Sequence, residues 1–581
     1  MKIKSLLIGM LACTALVGCS DDDDVLNNEV DNGKKQYAIK ISLNYADGIA
    51  SRGHESGDNV SDFEEGLAKE SDINSINLHF YDVNETFLGN ATALFNKSEV
   101  TENNNVTRTA IVAFTSVNPP TYVVAHVNGG TVNGGTLSSI QTQKITDSDA
   151  KPADDYFYMT NSVYKNANNE IIDAVTLLTS SVKEVPVGTT NEQVAEMTDL
   201  TATDIHVERV AAKVTVENAI NNTQVTDKEG NIYYTLQNKD NNATSYAIGI
   251  HGWKLNATNK EYYAIKNVGS MANWKAAWNA ADYFRSYWAE DPNYTSSAQG
   301  TELTTLLYQN MDGLDAQNQD VIEWNTLTTS TGIPVPEYCY ENTVAPSGSV
   351  VNTSEVTHVI IKAQYMKIVD NMAVALDANT DGKNIYRIGQ VVWTENNLKK
   401  DIAAKILAYY NVSKSSSAIT SSDEMYSDVN LIFLDDADKK QSYVTSITLG
   451  SGYTVLPKGE TDATKAITEF KDFYTTSRID FFEDGFCVYT IPVKHFEGSG
   501  VANDKNNVTA GQLGYWGVVR NHWYQLDITS IAGFGEPETY GEPIVPDPEV
   551  LKTYAVKCKI NVLAWSIVSQ STSIGGGNEW K

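Results

Sequence analysis

Cysteine is scarce in this chain, with five residues among 581. The three that follow Cys19 are Cys339, Cys487 and Cys558. An odd number at such wide spacing indicates no disulfide framework, and no pair has the close spacing of a zinc site. Stability must therefore come from hydrophobic cores, and a hydrophobic content of 41% is enough to build them. The length suggests two large domains.

Positive charge is also lacking, because 43 basic residues stand against 73 acidic ones and the net charge is −30. Such a chain repels nucleic acid, which is excluded as a partner. The eight histidines show no metal-ligand spacing, and HExxH, GxSxG, P-loop and CxxC motifs are missing. We therefore predict that the chain is not an enzyme and has no metal or other cofactor.

Long apolar runs are missing as well. The run from Leu6 to Val17 is too short to span a bilayer and ends in "LVGC", which predicts a lipoprotein signal peptide over 1–18 and lipidation of Cys19. The acidic "SDDDD" that follows resembles an export tag of surface lipoproteins, or is simply a solvated linker. We expect an outer membrane-attached precursor held by its lipid.

What the sequence does have is repeated alternation of apolar and polar residues, which predicts a mainly β protein. The first clear strand begins at Tyr37 and is followed by Arg52 in a segment rich in small residues. The apolar residues of this strand stand at every second position and are Tyr37, Ile39, Ile41, Leu43 and Tyr45. A strand of this pattern must bury one face.

Two stretches have helical spacing instead and predict insertions on the β scaffold. Residues 273–288 place Trp274 and Trp278 on one face, and a second stretch has apolar residues four apart from Leu398 to Tyr410. The tryptophans fit a packed core best, with stacking on sugars as the alternative.

One segment resembles half of a calcium loop. Asp377–Gly382, "DANTDG", fits the first six positions of an EF-hand, but Ile388 stands where a bidentate Glu is required. A hairpin turn is the favoured interpretation, and calcium binding is the alternative.

Several segments together resemble the fimbrilins of the type V pili of Bacteroidia, in particular the major subunit of their short fimbriae. They occur in one order over most of the chain, although each alone is only a strand pattern. The segments are "MTNSVY" (159–164), "VERVAAKVTV" (207–216), "GWKLNATNK" (252–260), "EYCYENT" (337–343), "GFCVYTIPVKHF" (485–496) and "VVRNHWYQLDITSIAGFG" (518–535).

This resemblance implies two transthyretin-like β-sandwich domains, with the helical insertions in the second. It also implies a lipoprotein precursor that an arginine-specific protease cleaves after its first strand, here between Arg52 and Gly53. The expected divisions of the chain are a signal peptide at 1–18, a lipidated propeptide at 19–52, an N-terminal domain at 53–203 and a C-terminal domain at 204–581.

Cleavage would free the first strand and leave an open groove for a strand of another molecule. The candidate donor lies in residues 563–575, and its apolar residues are Leu563, Trp565, Ile567 and Ile574. Because the apolar alternation changes phase at Val562, we expect a bulge or break there. The alternative is an ordinary final strand of its own domain.

The resulting hypothesis is a structural subunit of an adhesive cell-surface fimbria. Its expected partners are further copies of itself, anchor and tip subunits, the arginine-specific protease and a surface receptor. The alternatives are a surface-anchored glycan-binding or tip adhesin lipoprotein and, since the two carboxylates of a glycosidase have no fixed spacing in a sequence, a surface glycosidase.

Overall fold

The structure is a computed structural model, and it is mainly β, as the sequence predicts. Within the described part of the chain, no helix is long and apolar enough to cross a membrane. The described residues are 33–44, 63–65, 70, 72–95, 107–129, 134–146, 156–162, 164–165, 171–172, 175–178, 180–236, 245–267, 289–294, 308–309, 324–329, 334–343, 355–389, 391–433, 442–471, 473–474, 478–495, 516–531, 533–537 and 556–566.

A ten-stranded sheet forms the first lobe, and the first strand, Lys35–Asn44, lies inside it. The core of this lobe is filled by apolar side chains that alternate along the strands, such as Leu78, Phe80 and Val112. In spatial order the strands are Phe87–Thr92, Ile76–Tyr81, Tyr122–Val127, Met159–Asn161, Thr203–Arg209, Lys35–Asn44, Thr107–Ser116 and Leu94–Phe95, with Thr176–Leu177 and Val182–Val185 beside them.

Two sheets that share one core form the second lobe, which is a β-sandwich. Val214 and Leu526 enter this core from the first sheet, and Ile248 and Ile361 enter it from the second. The first sheet contains Phe63–Glu65, Val556–Ser566, His522–Ile531, Ala211–Asn218, Thr328–Thr329 and Glu337–Tyr340. The second contains Ser245–Asn256, Ile232–Thr235, Gln224–Thr226, Met372–Val374, His358–Val369, Phe486–Pro492 and Glu536–Pro537.

A third lobe is inserted into the second and has its own core around the helix Glu395–Tyr409. Leu398, Ile402 and Ile406 are fully buried, which confirms the predicted helix, while Tyr410 already begins the next strand. One sheet here contains Val391–Thr394, Ile385–Ile388, Arg478–Phe482, Ser442–Leu449, Val429–Phe433 and Glu469–Phe470, and the other contains Ser417–Ile419, Tyr410–Lys414 and Tyr453–Pro457.

The remaining elements are short. The two-stranded pairs are Tyr164–Lys165 with Ile171–Ile172, Thr258–Asn259 with Tyr308–Gln309, Glu261–Tyr263 with Lys144–Thr146, and Asn342–Thr343 with Gly517–Val518. The short helices are Leu137–Gln141 and Asn191–Ala195, together with single 3₁₀ turns at Ser422–Glu424, Tyr426–Asp428, Ala463–Lys465 and Glu483–Gly485.

The first and second lobes are joined by nearly continuous backbone. The strand Thr203–Arg209 belongs to the first sheet, and after Val210 the strand Ala211–Asn218 belongs to the sandwich. The expected division between residues 203 and 204 therefore falls at the start of a strand of the first lobe.

The segment Asp377–Gly382 is a turn whose carboxylates are already engaged. Asp377 accepts hydrogen bonds from the backbone N–H groups of Asn379 and Thr380, and Asp381 forms an ion pair with Lys367 at 2.5 Å. The ammonium group of Lys367 thus occupies the position beside Asp381 that a metal ion would need. In the described part of the chain, no cluster of three or more acidic, His or Cys side chains could hold a metal.

The predicted bulge near Val562 is wrong. The last strand, Val556–Ser566, runs unbroken past Val562, and the register shift of this pairing lies between Ile528 and Ser530 on the partner strand. Val562 is paired with Tyr524 and Leu563 with Trp523, and both partners are buried. Both faces of the sheet are covered at this end, so apolar residues on successive positions need no break.

Candidate functional site: the first strand and its groove

The first strand has neighbours on both of its edges. On one edge it pairs antiparallel with Thr107–Ser116, from Lys35 opposite Ser116 to Asn44 opposite Thr107. The other edge is shared, because Gln36–Ile39 pair with Val182–Val185 and Ile41–Asn44 run parallel to the start of Thr203–Arg209. Between these two neighbours, the N–H of Lys40 donates to the carbonyl of Ser181 at 3.2 Å. The backbone is thus held on both sides along nearly its whole length.

Four of the five side chains predicted to face inward do so. Ile39, Ile41 and Leu43 are fully buried and Tyr37 is 4% exposed, all within the core of the first lobe. Burial of each such side chain is worth about 1.5–3 kcal/mol. Tyr45 lies outside the described residues.

The opposite face of the strand is also covered, which the alternation did not reveal. Ala38 is fully buried in a small cluster with Val194, from the short helix Asn191–Ala195, and Leu200. The amide of Gln36 donates to the carbonyl of Thr189 at 2.8 Å, and its oxygen accepts from the N–H of Gly188 at 2.6 Å. Removal of the strand would therefore open a groove with two backbone walls and an apolar floor.

The chain that follows the predicted cleavage site is held at the junction of the lobes. Glu70 is 2% exposed and forms an ion pair with Lys213 at 3.0 Å. The carbonyl of Glu70 accepts from Nε of Arg209 at 2.9 Å, and Tyr338 donates to its carboxylate. These contacts fix residue 70 to both lobes without any contribution from the first strand.

Two further buried ion pairs lie at this junction. Glu208 faces Lys266 at 3.5 Å, and Glu341 faces Arg520 at 3.1 Å. Burial raises the pKa of the Glu341 carboxyl, and the positive charge of Arg520 opposes that rise. Sequence reasoning missed these pairs, because partners so distant along the chain leave no local pattern.

The last strand is bound less completely. It pairs antiparallel with His522–Ile531 on one edge from Val556 to Ala564, and among the described residues the other edge is paired at Ala564, Trp565 and Ser566, with Phe63–Glu65. Leu563 and Trp565 are therefore in a strand of their own chain, as the alternative to the donor hypothesis expected. Ile567 and Ile574 lie outside the described residues.

Other predicted features also fall outside the described residues. These are Cys19, the Arg52–Gly53 bond and the tryptophan-rich stretch with Trp274 and Trp278. Of the three cysteines, Cys339 and Cys487 are buried thiols, and burial raises the pKa of Cys339 to about 12. Such thiols are packed in the core and unreactive.

Comparison with solved structures finds fimbrial proteins of Bacteroidales at low identity. A fimbrilin from Porphyromonas gingivalis has 12% identity and a TM-score of 0.35, and the match covers 92% of this chain and 99% of that chain. The tip fimbrial protein of the same organism has 9% identity and a TM-score of 0.28, covering 90% of this chain and 100% of that chain. These superpositions are loose and carry no argument by themselves.

Comparison of sequences gives a more specific result. No curated protein matches the chain. Residues 480–571 match the family described as "Major fimbrial subunit protein type IV, Fimbrillin, C-terminal". The match includes the strands Phe486–Pro492, His522–Ile531 and Val556–Ser566. Residues 480–571 are therefore similar to the C-terminal region of fimbrillins, and the predicted resemblance of the chain to that family is confirmed.

Proposed function

We propose that this chain is the repeating subunit of a cell-surface fimbria and that it polymerises by exchange of its first strand. The family match supports a fimbrial subunit or adhesin, a structural class of protein found in surface fimbriae. The finer proposal is that the chain is exported as a lipoprotein on Cys19, is cleaved after Arg52, and supports adhesion as a polymer with anchor and tip subunits.

The observation that carries this proposal is the position of the first strand. It fills a two-sided groove with its apolar side chains, yet it precedes the proposed cleavage site. Cleavage would leave only non-covalent contacts to hold it, while Glu70 keeps the following chain in place. The vacated groove would present unpaired edges to a strand of another copy.

The exchange also has a favourable direction. Three of the four described donor residues are paired on one edge each: Leu563 with Trp523, and Trp565 and Ser566 with Glu64 and Glu65. A strand in the groove is paired on both edges. A donor that moved from its place in its own chain to the vacated groove of another copy would gain a second ladder of hydrogen bonds. Four buried side chains in the groove correspond to about 6–12 kcal/mol before the cost of association.

The decisive experiment compares Arg52→Ala with Arg52→Lys and the unchanged chain. Both variants should resist an arginine-specific protease and remain folded monomers on size exclusion. The cleaved wild-type protein should form polymers whose subunits begin at Gly53. Polymers formed by the uncleaved Arg52→Ala protein would contradict strand exchange. A surface form that still begins at lipidated Cys19 would contradict the role of a repeating, cleaved subunit.

The proposed donor is tested by deletion of residues 563–581. The truncated chain should still be cleaved after Arg52 but should not polymerise. A synthetic peptide of residues 37–51 should slow polymerisation of the cleaved wild-type protein, because it competes for the groove. Normal polymerisation of the truncated chain would assign the donor to another segment.

The proposed lipidation is tested separately by Cys19→Ala. Metabolic labelling with a fatty acid should mark the wild-type precursor and not this variant. Equal labelling of the two proteins would refute the assignment.

A further inference from the structure

Three loops at one end of the first lobe expose valine side chains. Val83 is 71% exposed, Val117 is 56% exposed and Val187 is 74% exposed. The first two loops are joined directly, because Nδ2 of Asn118 donates to Oδ2 of Asp82 at 2.9 Å. We call Val83, Val117 and Val187 the outer cap.

The outer cap surrounds the place where the first strand begins. Lys35 is opposite Ser116, next to Val117, and Gln36 binds the N–H of Gly188, next to Val187. From there the strand runs toward the junction and ends at Asn44, which pairs with His206. At about 3.3 Å per residue, the cap lies roughly 30 Å from that end of the groove.

A second exposed apolar surface crosses four strands of the second lobe. Val369 is paired with Met372, Met372 with Thr226, and Thr226 with Ile232. Directly paired residues point to the same face of a sheet. Val369 is 45% exposed, Met372 is 43% exposed and Ile232 is 52% exposed. We call Val369, Met372 and Ile232 the apolar strip.

The apolar strip reaches the end of the sandwich that is remote from the junction. The strand that ends at Val369 begins at His358, and the preceding Thr357 accepts a hydrogen bond from Asn342 beside the buried Glu341. The last strand starts at this remote end too, with Val556 opposite Ile531 and Ala564 opposite His522. Release of the donor together with the whole strand Val556–Ser566 would leave it tethered at the same end of the lobe as Val369.

The net charge of the chain limits which surfaces of two copies can meet. Two copies of a chain with a net charge of −30 repel each other, so they approach best through uncharged surfaces. The loops at 83–86, 116–121 and 186–189 contain one charged residue, Glu85, and the three strands that carry Thr226, Ile232 and Met372 contain none. Charged residues lie around these surfaces, namely Asp82 beside the cap and Asp227, Lys228, Glu229 and Asp370 in the turns beside the strip. Each surface thus has an uncharged centre and a charged rim, as protein interfaces do. Exposed apolar surfaces of this kind mark sites of protein contact.

We propose that the outer cap of one copy docks on the apolar strip of the next copy, in a head-to-tail contact between subunits. Two different surfaces at remote ends of one chain generate an open, repeating contact and not a closed pair. The proposal rests on the proposed function, because it brings the tether of the donor strand to the mouth of the acceptor groove. The contact would align the subunits and add to the strand exchange itself.

The test uses cleaved protein and follows polymer growth by light scattering. Val187→Asp in the cap and Met372→Asp in the strip should each slow growth on the order of tenfold, because a charge is placed in a desolvated contact. Ile432→Asp is the matched control, since Ile432 is 44% exposed on the third lobe and should leave growth unchanged. All three should keep the wild-type melting temperature. The double variant Val187→Lys/Met372→Asp should recover growth through the new pair of opposite charges.

The outcomes separate this contact from strand exchange. Wild-type growth of both single Asp variants would overturn the docking proposal, and the blocked growth of Arg52→Ala would then still support exchange. Growth of uncleaved Arg52→Ala polymers would overturn the exchange mechanism whatever the cap and strip variants do. Equal slowing by Ile432→Asp would also overturn the docking proposal, because slower growth would then result from the added negative charge and not from the position of the substitution.

Discussion

The two terminal strands differ in how they are held, and the difference decides what the removal of each one would leave behind. The first strand has a neighbour along both edges and buried side chains on both faces. The last strand has one long neighbour and one short one. A strand taken from the middle of a sheet leaves a groove, whereas one taken from near an edge leaves an edge.

The largest effect is expected at the buried ion pair whose arginine stands just before His522–Ile531, the long neighbour of the last strand. Arg520→Met leaves the buried Glu341 without its partner and should lower the free energy of unfolding by about 3–5 kcal/mol in urea. The double variant Arg520→Met/Glu341→Met should recover most of that loss. A single variant as stable as the wild type would mean that the junction is not held by this pair.

The second prediction sharpens the contrast between the strands. Ile41→Ala should cost about 2–5 kcal/mol in the uncleaved chain, because it opens a cavity at a fully buried site. The loss should disappear once the protein is cleaved and the strand has left. Leu526→Ala, beside the last strand, is the control, since its similar loss should not depend on cleavage. A loss from Ile41→Ala that survives cleavage would show that the strand stays in place.

The third prediction concerns acid. Burial lowers the pKa of His79, in the first lobe, and of His522, beside the last strand, to about 4 from 6.5. The unfolded chain therefore binds protons below about pH 6.5 that the folded chain does not, so stability is full above that pH and falls toward pH 4. His79→Phe should make this fall shallower by up to about 1.4 kcal/mol per pH unit. If the unfolding of His79→Phe in urea had the same pH dependence as that of the wild type, protonation of His79 would not be a source of the loss of stability in acid.

The smallest effect is expected at the exposed end of the first strand. Lys35 pairs with Glu184 at 2.8 Å, and both side chains are about half exposed (53% and 54%). Water and salt screen such a pair, so Lys35→Ala should leave the melting temperature of the precursor unchanged. A clear drop would mean that surface charge also holds the strand in its groove.

The alternation from Tyr37 to Leu43 predicted the first strand and its inward face correctly, because that pattern is local. The same reasoning could not find the cover over Ala38, which comes from residues 185–200. At Val562 it failed, since it assumed that only one face is buried. Spacing also predicted the helix around Ile402, but gave no indication of a separate third core.

The buried ion pairs show the same limit. Glu208, Lys266, Glu341 and Arg520 stand in segments whose strand character the sequence reveals, but no periodicity shows which residue faces which. Their pairing depends on how two sheets meet, which is a property of the tertiary structure.

The antiparallel pairing of the first strand with Thr107–Ser116 also has a mechanical consequence. A pull along the axis of a strand in this groove is a shearing force, and it loads every hydrogen bond of the ladder together. Tearing from one end, by contrast, would break the bonds one after another. A filament built from such joints resists tension along its length far better than it resists being peeled apart sideways.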